Sequence, residues 1–118
     1  MQQSTGATGE AIAINYLKNK GYDIIEQNWH CRAGEIDIVA RESDIYIFCE
    51  VKTRRSNSTQ QAFMNITEHK AEKMIKAAQH YIHEHELEDV LWRIDAIGIA
   101  LPKNGQAIID HVEDVLDW

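Results

Sequence analysis

The sequence predicts an α/β fold, a mixed central sheet flanked by helices in the order α-β-β-β-α-β, with a further strand after it. Three observations carry this reading. Between Tyr22 and Lys52, three extended segments follow one another with only short polar breaks. On either side of that block, over residues 8–20 and 67–86, apolar residues recur at helical spacing. An isoleucine-rich stretch, residues 91–101, follows the second helix. A helix between strands is the usual way for a chain to return parallel to a neighbouring strand.

The first helix spans residues 8–20, capped by Thr5 or Thr8 and stopped at Gly21. Glu10, Ala13, Ile14 and Leu17 fall at i, i+3, i+4 and i+7 and share one stripe. A carboxylate at the head of an apolar stripe points Glu10 toward whatever the helix packs on. The plainer reading is a first-turn acid favoured by the helix dipole. Residues 22–29 form a strand and residues 30–34 a turn. Two strands follow in GEIDIVARESDIYIFCEVK, residues 34–52, with Glu42 to Asp44 as their tight connection. Residues 53–61, TRRSNSTQQ, form a polar loop. From Thr67, an N-cap residue type, the apolar positions Ala71, Met74, Ile75, Ala78, Tyr81 and Ile82 mark the second helix. Residues 91–101 are the fourth strand, ending before Pro102. Residues 103–105 turn the chain, and residues 107–112 supply the fifth strand. The first three strands make an antiparallel meander, and the helix crosses over to a fourth strand parallel to its neighbour.

With 118 residues, 44% of them hydrophobic and 26% charged, the chain suits one domain over residues 1–118. It has no run of about 20 apolar residues that could span a membrane. The N-terminal MQQSTGATGE has neither the basic nor the apolar region of a signal peptide. Cys31 and Cys49 then read as free thiols of a cytoplasmic protein. The net charge is −7. Residues 1–83 are balanced at 10 acidic and 10 basic side chains, whereas residues 84–118 hold 9 acidic and 2 basic ones. The composition therefore excludes a broadly basic nucleic-acid binder. It leaves room for a local basic face, for which Lys52, Arg54 and Arg55 are the candidates.

The chemistry concentrates in residues 34–52. Residues two apart on a strand share a face, which pairs Glu35 with Asp37 and Glu50 with Lys52. Ile36, Ile38, Cys49 and Val51 then supply the opposite, apolar face. If Asp37 and Glu50 face the same way on adjacent strands, their charges repel in a partly buried site. A hard divalent cation, Mg²⁺ or Mn²⁺, resolves that conflict, and the Val51 carbonyl is a further oxygen ligand. Lys52 could orient an attacking water or stabilise charge growing on a phosphate. Glu10 could approach from the helix and hold a metal-bound water or a second ion. The competing reading of Glu-x-Lys is a solvated strand with alternating charges.

The combination of G-x-x-G-E (residues 6–10), G-E-I-D (34–37) and E-V-K-T-R (50–54), with Lys70 and the Arg93-x-Asp95 pair, resembles the YraN-like family of small bacterial proteins. That family is related to the PD-(D/E)XK nucleases and to archaeal Holliday-junction resolvases. The resemblance runs from Gly6 to about His111. It implies a restriction-endonuclease-like fold, with Asp37 and Glu50 as metal ligands, Lys52 as the catalytic lysine and Glu10 as the acid of the N-terminal helix. The function it implies is metal-dependent hydrolysis of DNA phosphodiester bonds, on branched or damaged DNA. Nucleases of this fold often pair to cut two strands, so a homodimer is an expectation. The alternative is a non-catalytic module on the same fold, binding nucleic acid or a protein. A third reading has the acidic C-terminal third docking on a basic partner.

Other residues carry weaker signals. Glu35 is either an outer ligand or an exposed partner for an arginine, the second being favoured. Lys70, early in its helix, is either a phosphate contact or a surface partner of Glu68 or Glu72. Arg93 and Asp95 read as a structural ion pair ahead of a substrate contact. His80, His83 and His85 read as a solvated helix end ahead of a zinc site, since no cysteine spacing accompanies them. Adjacent His30 and Cys31 are discounted as a nucleophilic pair. Trp29, Trp92 and Trp118 read as core or rim.

Overall fold

In the computed structural model, which describes residues 4–64 and 67–115, the expected meander and crossover are both present. The chain runs α1 (Thr5–Asn19), β1 (Asp23–Cys31), β2 (Gly34–Glu42), β3 (Ile45–Arg54), α2 (Gln60–Phe63), α3 (Glu68–Glu84), β4 (Leu91–Ala100) and β5 (Ile108–Val112). The five strands form one sheet in sequence order. β3 and β4 are parallel, and the other neighbouring pairs are antiparallel. This architecture is compatible with a restriction-endonuclease-like fold. Among the described residues no helix is long and apolar enough to cross a membrane.

The central strands alternate between two buried faces, so a helix covers each. α1 lays Ala13 and Leu17 against Ile38, Ala40, Ile47, Cys49, Val51, Ile97 and Ile99. α3 lays Met74, Ala77, Ala78, Tyr81 and Ile82 against Ile36, Val39, Phe48, Ile94 and Ala96. Ile36 thus joins the α3 side, not the side of Ile38, Cys49 and Val51 as strict alternation required. β2 loses its two-residue period between Ile36 and Val39, and Asp37 lies within that irregular stretch.

Several boundaries differ from the sequence reading. Ser4 caps α1 by accepting a hydrogen bond from the Ala7 amide at 3.0 Å, in place of Thr5 or Thr8. The helix therefore begins at Thr5 and its first turn holds no acid, so the dipole account of Glu10 fails. β1 continues through His30 to Cys31, leaving a two-residue turn before Gly34. Residues 53–61 are not all loop: Thr53 and Arg54 extend β3, and Gln60 opens the short α2. Thr67 does cap α3, accepting from the Lys70 amide at 3.2 Å.

Gly9 fixes how closely α1 approaches the sheet. A Cβ there would overlap the Thr53 hydroxyl and lie 2.7 Å from Thr53 Cβ. Rotating Thr53 cannot remove the second conflict, so α1 would have to back away. Gly9→Ala is expected to lower stability by about 1–3 kcal/mol through overpacking, read as a shifted urea midpoint. Thr53→Ala in that background should restore part of the loss, since it removes two of the three nearest atoms. An unshifted midpoint for Gly9→Ala would show that the contact is looser than drawn.

Candidate active site

β2 and β3 pair from Glu42–Ile45 as far as Ile38–Cys49, and there the register ends. On their outer sides the ladders continue, to Cys31–Gly34 between β1 and β2 and to Arg54–Ala100 between β3 and β4. The two central strands therefore part where Asp37 and Glu50 would be the next opposed residues. Beyond the parting, the Val51 amide donates to Asp37 Oδ2 at 2.7 Å. A side-chain carboxylate thus takes a backbone donor that the β2 ladder no longer satisfies.

The N-terminal parts of both long helices flank this opening. On one side, the Gly9–Thr53 contact brings α1 down beside the end of β3. There Thr5, Gly6, Glu10, Val51, Lys52 and Arg54–Arg55 with Thr53 line a cleft of about 450 Å³. On the other side, Glu35, Glu50, Lys52, Lys70 and Lys73 line a second cleft with Gly34 and Met74. Lys52 borders both, and its Nζ lies 3.0 Å from Glu50 Oε1. Their side chains are 28% and 16% exposed, so the pair is largely removed from water yet reachable from the clefts.

The electrostatics follow from crowding acids into this space. Burial, followed by the charge of Glu50, pushes the Asp37 carboxyl up to about 7; the Val51 amide opposes the rise, and Glu10 and Glu35 add to it. Glu10 is raised by burial and then by Glu35 and Glu50. For Lys52, burial works to lower the pKa, but the hydrogen bond and charge of Glu50 and the charge of Asp37 outweigh it. Its pKa is raised and the ammonium persists.

These residues fit a hard divalent cation. Asp37 and Glu50 offer carboxylate oxygens and Val51 a main-chain carbonyl. Among the described residues no three His, Cys, Asp or Glu side chains gather into a cage. Few protein ligands, with water or phosphate completing the shell, is how Mg²⁺ is commonly held. The oxygen donor set suits Mn²⁺ as well.

The remaining candidates fall as follows. Arg55 Nε donates to Thr5 Oγ1 at 3.1 Å, and Arg54 is exposed beside it. Lys70 faces the second cleft and takes part in none of the ion pairs among the described residues, so pairing with Glu68 or Glu72 is not observed. Glu35 is exposed and pairs with His30 Nδ1 at 3.2 Å, not with an arginine. Sequence reading missed Lys73, whose place beside Lys70 depends on how α3 docks.

Arg93 and Asp95 do form an ion pair, at 2.9 Å. It belongs to a separate buried network in which His111 Nε2 lies 2.7 Å from Asp95 Oδ2 and His111 Nδ1 lies 3.0 Å from the Tyr16 hydroxyl. The histidine run is solvated: His83 pairs with Glu88 at 3.4 Å, and His85 stacks on Tyr81. Trp29 and Trp92 pack edge-on against Tyr81 and Phe48, as core and rim. Trp118 lies outside the described residues. Both cysteines are free thiols, Cys49 buried and Cys31 partly so.

Comparison with known proteins adds a family to this geometry. A model of the uncharacterised protein family UPF0102 matches residues 9–99. A UPF0102 protein of Chloroflexus aurantiacus is 45% identical over 107 residues, covering 90% of this chain and 85% of the relative. One from Streptomyces coelicolor is 38% identical over 112 residues, covering 93% and 86%. One from a Nocardioides species is 35% identical over 115 residues, covering 98% and 93%. With a match that spans both the G-E-I-D and E-V-K strands, the chain belongs to the uncharacterised protein family UPF0102, the YraN-like family.

Proposed function

We propose that the chain is a metal-dependent endonuclease that hydrolyses phosphodiester bonds of DNA, with branched or damaged DNA as its substrate class. The observation that carries this reading is the meeting of Asp37, Glu50 and Lys52 where β2 and β3 part. Burial and the charge of Glu50 resist ionisation of Asp37, and a lysine is held 3.0 Å from Glu50. Asp37 and Glu50 would hold Mg²⁺ or Mn²⁺, with the Val51 carbonyl as a further ligand. When bound, such an ion supplies Lewis acidity toward a phosphoryl oxygen and acidifies a coordinated water.

The chain's own groups do the rest. Lys52, kept charged and aimed by Glu50, donates hydrogen bonds to the oxygens on which negative charge grows. Glu10, raised by burial and then by Glu35 and Glu50, lines the cleft that Lys52 also borders and would accept the proton that the attacking water gives up as its oxygen bonds to phosphorus and the bond to the leaving oxygen breaks. Arg54, Arg55 and Lys70 hold the flanking phosphates.

The test is cleavage of supercoiled plasmid and of a four-way junction with Mg²⁺ or Mn²⁺. Glu50→Ala and Lys52→Ala are each expected to lose about 100-fold or more in rate, the usual cost of removing an electrostatic stabiliser. Equal activity in wild type and both variants would refute the assignment. Salt-dependent DNA binding without turnover in either metal would instead support the non-catalytic binding module.

A further inference from the structure

We infer that Arg55 and Lys103 form a second phosphate-binding subsite, which takes the backbone of the nucleic-acid strand as it leaves the carboxylates; this rests on the nuclease reading above. Arg55 lines two clefts. One is the cleft of Glu10 and Lys52. The other, about 500 Å³, is lined by Arg55, Ser56, Asn57, Leu101, Pro102 and Lys103. Its polar lining is two cations and two neutral hydrogen-bonding side chains, with no carboxylate among them. That composition selects an anion, and continuity with the first cleft makes the anion another part of the same polymer.

The walls of the second cleft are fastened. The Leu101 amide donates to the Arg54 carbonyl at 2.8 Å. The buried Thr59 hydroxyl donates to the Asp110 carboxylate, tying the loop that carries Ser56 and Asn57 to β5. Arg55 Nε donates to Thr5 Oγ1 at 3.1 Å, a contact that does not use the terminal nitrogens, the pair with which a guanidinium grips a phosphate. The strands that lead into Arg55 and Lys103 are thus joined before any ligand arrives.

The distribution of charge agrees. β3 and β4 are parallel, with Ile45 beside Leu91 at one end and Arg54 beside Ala100 at the other. Glu84, Glu86, Glu88 and Asp89 directly precede β4. They therefore lie at the end of the sheet away from Arg54, Arg55 and Lys103. The net charge of −7 does not stand in the path of a polyanion, because much of the acidic excess is at the far end.

The experiment measures binding of short single-stranded and duplex oligonucleotides by fluorescence anisotropy, with Ca²⁺ in place of Mg²⁺ and salt varied from about 50 to 200 mM. Each phosphate contact contributes about 0.7 to 0.9 to the slope of log K against log salt. Lys103→Ala and Arg55→Ala are each expected to flatten the slope by about that amount. Lys103→Arg should keep it, and Lys18→Ala, on the C-terminal part of α1, should leave it unchanged. Wild-type binding with an unaltered slope in Lys103→Ala overturns this subsite, whatever Arg55→Ala does, and leaves the nuclease reading standing. Absence of wild-type binding to either oligonucleotide overturns this subsite, whereas the nuclease reading falls only if the plasmid and the four-way junction are left uncut as well.

Discussion

Asp37→Asn is expected to make the metal-free protein more stable at pH 8, by about 2–4 kcal/mol, while abolishing stabilisation by Mg²⁺. The first half follows from linkage. Burial and Glu50 hold the folded Asp37 carboxyl at about 7, against 3.8 for an unperturbed aspartate. Between those values the folded chain keeps a proton that the unfolded chain has released. Stability then falls as pH rises through that window and is level above it. About three pH units at 1.36 kcal/mol each sets the upper end of the range; partial exposure of the site sets the lower. Asparagine has no proton to lose, so the variant escapes the penalty and can still accept from the Val51 amide. The second half follows from the ligand set, since a neutral amide beside Glu50 brings no negative charge and holds a hard cation far more weakly than a carboxylate. Urea unfolding at pH 5 and pH 8, with EDTA and with Mg²⁺, separates the two. Lower stability of the variant at pH 8 in EDTA would show that Asp37 is ionised and well solvated. Equal Mg²⁺ stabilisation of both proteins would remove Asp37 from the metal site.

That Asp37 and Glu50 could be picked out beforehand reflects their nearness in sequence. A tight turn fixes the register of a hairpin, so two acids about equally far from the turn face each other. The strand parting that opens the site was not legible, because both strands run on as extended segments past Ile38 and Cys49, where their pairing stops. The order of elements was legible because strand and helix periods differ and a crossover helix implies a parallel neighbour. Four-residue α2 escaped for the converse reason, as it is too short to show a period. The cap of α1 was misassigned because Ser4, Thr5 and Thr8 are all good N-cap residues, and only the backbone conformation of Ser4 separates them. Clefts assembled from distant segments, such as that of Arg55 and Lys103, leave no pattern along the chain.

Asp95→Ala is expected to cost about 3–5 kcal/mol, the usual loss when one member of a buried ionic cluster is removed. Asp95 is fully buried. Its two oxygens accept from Arg93 Nε at 2.9 Å, His111 Nε2 at 2.7 Å and the Asp114 amide at 3.0 Å. His111 stands opposite Ile97 in the β4–β5 register, which places it diagonal to Asp95 on the same face of the sheet. His111 in turn meets Tyr16 of α1, while Arg93 reaches the Tyr22 hydroxyl at 3.0 Å. One carboxylate therefore holds β4, β5 and the C-terminal end of α1 together. Removing it leaves Arg93 and His111 desolvated without their shared acceptor. The pH dependence has the opposite sign to that of Asp37. Burial works to raise the Asp95 carboxyl, but the hydrogen bonds from His111, Arg93 and the Asp114 amide hold it below 3.8. The unfolded chain takes up the proton first, so this stability is complete above about pH 4 and is lost as pH falls through the lower folded value. Asp95→Ala should flatten that acid limb. The Gly9–Thr53 contact holds the other end of α1 independently, so Mg²⁺ stabilisation should survive the substitution below its melting temperature. Loss of Mg²⁺ stabilisation in folded Asp95→Ala would show instead that this network positions Glu10, and a cost under about 1 kcal/mol would show that water reaches the cluster.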